Sequence, residues 1–309
     1  MRSSGNASAT SSTITPAASA STQGFLMAAD CRHQACIGLT RRPSRPGGSA
    51  VYARRMTRIT SLAIVTGSSR GLGAALVAQL LQPGHVLLGI ARRSNPALQA
   101  QADAAGVPFT QWTADLADPQ PVAERLAAWL AGFDSATVAS ATLINNAGVV
   151  GLPATLGQVP LPTLTLAMRA GLEAPRLLTG AFLAATAGWP GARRVLNISS
   201  GLGRRAMAGS AAYCAAKAGM DHFSRAVALE EAARTNGARI VSMAPGVVDT
   251  DMQAELRGAD AAAFPEQARF AALHAQGHLT SAADCARALL ARLHRADFGQ
   301  DTVADIREA

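Results

Sequence analysis

Tyr213 and Lys217 stand four residues apart in a stretch with helical spacing, so their side chains face the same way. Lys217 is the only lysine among 28 basic residues, and the chain holds two tyrosines. A position that keeps a compact ammonium in an Arg-dominated chain points to a need for a point charge rather than a planar fork. The chemistry such a pair supports is proton transfer. Tyrosine titrates near ~10, and a group exchanging protons near neutrality must sit ~2–3 lower, worth about 3–4 kcal/mol. One cation at ~4 Å in an effective dielectric of ~20 supplies about 4 kcal/mol, so Lys217 is expected to tune Tyr213 largely alone. Ser200 closes the apolar run Val195-Leu196-Asn197-Ile198-Ser199, a place from which its hydroxyl can donate to a substrate carbonyl oxygen.

A second constellation lies upstream. An apolar run over 62–66 passes through Thr66-Gly67-Ser68-Ser69-Arg70-Gly71-Leu72-Gly73 into a helical pattern over 71–81. Glycines at such a turn let backbone N–H groups approach a pyrophosphate at the helix N-terminus, whose dipole favours the anion. The choice of dinucleotide follows from charge. An NAD site places an acid near the end of the second strand. Here that strand, over 85–90, ends in Ile90-Ala91-Arg92-Arg93, and the first acid after Gly73 is Asp103. Arg70 and Arg92 therefore favour a 2′-phosphate, and the expected cofactor is NADP(H).

The elements that must position these residues alternate. Strands are expected over 62–66, 85–90, 107–112, 141–145, 195–199, 238–243 and 302–306. Helices are expected over 71–81, 96–105, 119–131, 164–185, 211–234 and 281–294. That alternation predicts the α/β class, with one Rossmann-type doubly wound parallel sheet flanked by helices over residues 56–309. The segment 252–277, with Met252, Phe264, Phe270 and His274, is expected to lie over the pocket, with His274 and His278 at the surface. Residues 1–55, rich in Ser, Ala and Arg, are read as disordered or as sequence ahead of a true start at Met56; an organelle transit peptide has the same composition.

The motifs together resemble the short-chain dehydrogenase/reductase family across roughly residues 60–306. The match comprises the glycine turn from Thr66 to Gly73, Asp115-Leu116, Asn145-Asn146-Ala147-Gly148 and Ser200 thirteen residues before Tyr213. It continues through the Tyr213/Lys217 pair and Pro245-Gly246-Val247-Val248-Asp249-Thr250. The resemblance implies that Ser200 polarises the carbonyl, Tyr213 exchanges its proton, and Lys217 lowers the Tyr pKa and binds the nicotinamide ribose. It places Gly67, Ser69, Arg70, Gly71, Leu72, Gly73, Arg92, Asp115, Leu116, Asn145, Ala147, Gly148, Pro245, Gly246, Val248 and Thr250 at the cofactor. Asp115 would hold the adenine, Asn145 the ribose region and Thr250 the nicotinamide side. Tyr213-Cys214-Ala215-Ala216-Lys217 and the stretch 244–253 are similar to the sepiapterin and benzil reductase branch, implying NADPH-dependent reduction of a ketone or vicinal diketone. Asp305 resembles an acid that anchors pterin in that branch. One departure stands out: Gly171 occupies the place of a family Asn that completes a water relay to the lysine.

Charge and composition limit the alternatives. The formal charge is +8, but residues 1–55 carry +6 of it, leaving +2 for the remainder and no basic stripe for nucleic acid. No apolar run reaches the ~18 residues of a membrane span. Cys31, Cys36, Cys214 and Cys285 lack metal-ligand spacing, so free thiols, no metal and a cytoplasmic setting are expected. The partners expected are a small carbonyl substrate and, by the family resemblance, a second or fourth copy of the chain. Alcohol oxidation at the same site and a catalytically weak NADP-binding regulator remain the alternatives.

Overall fold

The computed structural model describes residues 58–308; the expectation for residues 1–55 lies outside them. Seven strands form one parallel sheet in the order β3-β2-β1-β4-β5-β6-β7. They are β1 (Ser61–Thr66), β2 (His85–Ala91), β3 (Phe109–Thr113), β4 (Ser140–Asn145), β5 (Ala192–Ile198), β6 (Arg239–Ala244) and β7 (Val303–Asp305). β1 and β4 are neighbours although two strands and three α-helices separate them in sequence, so the strand order reverses there. That reversal opens the crevice in which ligands of open parallel sheets bind.

The sheet is covered on both faces, as a parallel sheet must be. Alternate side chains serve different cores. Leu62 and Ile64 of β1 pack with Leu126, Leu130, Leu178 and Phe182 on one side. Ala63 and Val65 pack with Leu76, Leu80, Leu289 and Leu293 on the other. The helices of the first side are α3 (Gln120–Leu130), α5 (Ala174–Ala185) and α6 (Ala211–Ala232). Those of the second are α1 (Gly71–Leu80), α2 (Pro96–Ala105) and α9 (Ala282–His294).

Local chemistry sets several boundaries. The Asn95 side chain accepts from Leu98 N at 3.0 Å, Pro96 opens α2, and Gly106 closes it at φ 64. Val107 then donates back to Ala102, so β3 begins at Phe109 rather than at 107. The long helix expected over 164–185 starts earlier and is interrupted. It consists of α4 (Leu161–Met168), one π-helical turn (Arg169–Glu173) and α5. Within 252–277 there are two short helices, α7 (Asp251–Arg257) and α8 (Gln267–Ala275). No helix among the described residues is long and apolar enough to cross a membrane.

Candidate active site

A cavity of about 720 Å³ runs along the carboxyl edge of the sheet. Its nucleotide end is built at the β1/β4 reversal. Gly67 has φ 66, and a Cβ there would stand 3.0 Å from Ala147 Cα. At Gly73 a Cβ would reach within 2.1 Å of the Gly67 carbonyl oxygen, so only glycine lets α1 tuck under the turn. Asn146 locks the two strand ends together: its side-chain amide donates to Thr66 O at 2.9 Å. The backbone N–H groups of Asn146 and Ala147 both donate to the Thr66 hydroxyl at 3.0 Å.

Gly67, Ser69, Arg70, Gly71, Leu72 and Gly73 line this end, joined by Arg92 and Arg93 from the end of β2. Asp115 and Leu116 follow β3 on the same wall, and Asp115 Oδ1 accepts from Ala117 N at 3.0 Å. Ala147, Gly148, Pro245, Gly246, Val248 and Thr250 line the same cavity. Asn145 does not. Its amide donates to Asn197 at 2.8 Å and to Thr179 at 3.1 Å, inside the sheet–helix layer, and it is Asn146 that reaches the cavity. Arg70 is already engaged, in an ion pair with Asp251 at the start of α7.

The reactive end lies where β5 meets α6. Ser200, Tyr213 and Lys217 all reach the cavity. Ser200 Oγ accepts from Leu202 N at 3.2 Å and lies near enough to the Tyr213 phenol to draw its pKa down. Lys217 is 4 % exposed, donates from Nζ to the Ile198 carbonyl at 2.7 Å, and stands 5.6 Å from the Tyr213 ring centroid. Burial pushes the Tyr213 phenol up to about 12, against the smaller downward pull of Ser200. Burial also lowers Lys217 to about 8, opposed by the charge of Asp221. The expectation that Lys217 holds Tyr213 near neutrality is not met in this geometry. Desolvation outweighs an ammonium whose hydrogen bond goes to a carbonyl instead of the phenol.

Asp221, one turn beyond Lys217, gave no signal in the sequence beyond its spacing of four. It is 1 % exposed and accepts from Ser199 Oγ at 2.5 Å and from Ser242 Oγ at 2.7 Å, with Arg204 Nε 3.7 Å from its second oxygen. Gly171 lies in the π-helical turn, and a Cβ there would stand 3.1 Å from Ala216 Cβ, beside Lys217. Of the segment over the pocket, Met252, Leu256 and Phe270 line the cavity, while Phe264 is buried behind them and stacks on Phe270 at 5.8 Å. His274 and His278 are exposed. Asp305 is buried and held by a bidentate contact from Arg307, at 2.8 and 2.6 Å; it is Arg307 that lines the cavity.

The description "short chain dehydrogenase" belongs to the family model that matches residues 61–261. A benzil reductase ((S)-benzoin forming) of Bacillus cereus is 35% identical over 245 residues, covering 79% of this chain and 98% of its own length. The sepiapterin reductase of Rattus norvegicus is 32% identical over 249 residues, covering 77% and 93%. The crystal structure of a short-chain dehydrogenase/reductase from Burkholderia vietnamiensis is 35% identical with a TM-score of 0.54, covering 81% of this chain and 98% of its own. The chain belongs to the short-chain dehydrogenase/reductase family. It is a nicotinamide-cofactor-dependent oxidoreductase acting on carbonyl or alcohol groups.

Proposed function

We propose that this protein uses NADPH to reduce a ketone or vicinal diketone to an alcohol. The observation that carries this reading is the placement of Ser200, Tyr213 and Lys217 in the same cavity that Arg92 and Arg93 line: the phenol can give its proton to a carbonyl oxygen there, and the arginines favour the phosphorylated cofactor. Ser200, which lines the cavity with that phenol, orients the carbonyl oxygen. Bound NADPH supplies the hydride. Tyr213 then delivers its proton to the carbonyl oxygen, and Lys217, buried beside Gly148, offers donors to the cofactor ribose. The benzil and sepiapterin reductase relatives support a dicarbonyl-like substrate. The bidentate Arg307 contact on Asp305 weighs against that acid acting as a pterin anchor.

NADPH over NADH rests on Arg92 and Arg93, which line the nucleotide end and have no carboxylate partner among the described residues. The glycine cradle at Gly67 and Gly71 leaves room for the pyrophosphate. A cytoplasmic setting is part of the same reading, supported by the free thiols of Cys214 and Cys285, and a homo-oligomer follows from the family resemblance. The deciding experiment follows NADPH consumption with a panel of small diketones for the wild type and for Tyr213→Phe. The phenol-less variant is expected to lose ~10²–10⁴-fold in rate while still binding NADPH. Equal rates in the two proteins would overturn the assignment.

A further inference from the structure

The two ends of the cavity differ in charge. Its acids are Asp115, after β3, and Asp251, which is paired with Arg70; both belong to the nucleotide end. The substrate end is lined by Val150, Leu166, Met207 and Phe270, and among these apolar walls stand two guanidinium groups, Arg205 and Arg307.

Their placement follows from the sheet. Arg205 lies in the turn after β5 and Arg307 just beyond β7, with β6 between them. Both arginines line the one cavity, which is what lets a single small ligand engage the two. Arg205 Nε stands 3.7 Å from where a Gly201 Cβ would be, next to Ser200. Among the described residues no carboxylate pairs with it. Arg307 rests its stem against Gly246, 3.6 Å from the Cβ position there. Asp305 takes its Nε and Nη2, which share one edge, and leaves Nη1 and its two donors for a ligand.

We propose that the substrate is a ketone bearing a carboxylate next to the reacting carbonyl, a 2-oxo acid with an apolar substituent. This rests on the reductase reading above and names the substrate class within it. Arg205 and Arg307 hold the carboxylate, the apolar walls take the substituent, and the position of Arg205 beside Ser200 fixes the carboxylate close to the ketone. Bound NADPH would supply the hydride to the ketone carbon and Tyr213 its proton to the ketone oxygen, with the carboxylate unchanged in the product. A neutral dicarbonyl fits the same walls but leaves the Arg205 guanidinium and the free Nη1 edge of Arg307 without an anionic partner.

The test uses the full chain with NADPH and three probes: phenylglyoxylate, its methyl ester, and 1-phenyl-1,2-propanedione. The wild type is expected to reduce the acid with a kcat/KM at least about tenfold above the ester, a preference that weakens with added salt. Arg205→Gln, a change at an exposed side chain, is expected to collapse the acid-to-ester ratio through KM for the acid. Arg307→Gln should act in the same direction, but it strips a buried Asp305 of its partner, so Arg205→Gln decides. An ester reduced as well as the acid, or a ratio preserved in Arg205→Gln, overturns the proposal. Reduction of the dione with no turnover of the acid also overturns it and leaves the reductase reading standing. Turnover of none of the three by protein that binds NADPH removes both.

Discussion

Lys217 Nζ stands 5.6 Å from the Tyr213 ring centroid, yet its hydrogen bond goes to the Ile198 carbonyl at 2.7 Å. The pair therefore divides its work. Tyr213, pushed up to about 12, stays protonated across the working range, while Lys217, lowered to about 8, loses its proton within that range. Reduction needs the phenol protonated, and that condition holds on both sides of pH 8. The ammonium is lost as pH rises through about 8. The kcat/KM for reduction is thus expected to be level below that point and to fall above it. A pH–rate profile that stays level to about pH 10 would remove Lys217 from the titrating machinery.

Asp221 sets where that fall occurs. Its carboxylate raises the Lys217 pKa against burial, and its contacts to Ser199 and Ser242 tie α6 to β5 and β6. Asp221→Asn keeps the shape and an acceptor oxygen but deletes the charge. The fall in the pH–rate profile should move to lower pH, with the protein still folded by circular dichroism. If the variant loses only melting temperature and the profile does not move, Asp221 is a packing residue.

Arg92 lines the nucleotide end without a carboxylate partner among the described residues, whereas Arg70 is held by Asp251. Arg92 is therefore the better placed of the two for a 2′-phosphate. Replacing it by Asp sets a charge against the phosphate and offers an acceptor to a ribose hydroxyl. The ratio of kcat/KM for NADPH over NADH should fall by at least about tenfold. An unchanged ratio would assign the phosphate to Arg93 or to the Arg70 pair.

The legible parts of the fold were those with local causes. Asn95, Pro96 and Gly106 mark α2 at both ends, and the expected bounds coincide with the observed ones. The glycine turn, Ser200 and the Tyr213/Lys217 pair were readable because a short segment fixes each. Parity at a strand end was not: Asn145 pairs with Asn197 in the sheet register, which turns its side chain inward and leaves Asn146 for the cavity. Of the two helices in 251–275, α7 is only seven residues long with Leu256 its one buried apolar side chain, and α8 buries no side chain, so no apolar period marks either. Long-range contacts such as Arg70 with Asp251, and Arg307 at the cavity, depend on the assembled sheet and leave no trace in spacing.

Gly171 tests the link between the π-helical turn and the site. The turn spans Arg169–Glu173, and such single turns mark places where a helix is re-aimed beside function. Restoring the family side chain by Gly171→Asn places a Cβ 3.1 Å from Ala216 Cβ, one residue from Lys217. The neighbour must yield, and overpacking of this kind costs about 1–3 kcal/mol. The gain of replacing Gly by Asn in a helix offsets only about 0.3 kcal/mol of that. The variant is thus expected to melt lower than the wild type. Its NADPH affinity should be unchanged, because Gly171 is not among the residues lining the cavity. Thermal melting and fluorescence titration with NADPH check the two halves separately. A large change in NADPH affinity would mean that the π-helical turn governs the position of Lys217 through Ala216.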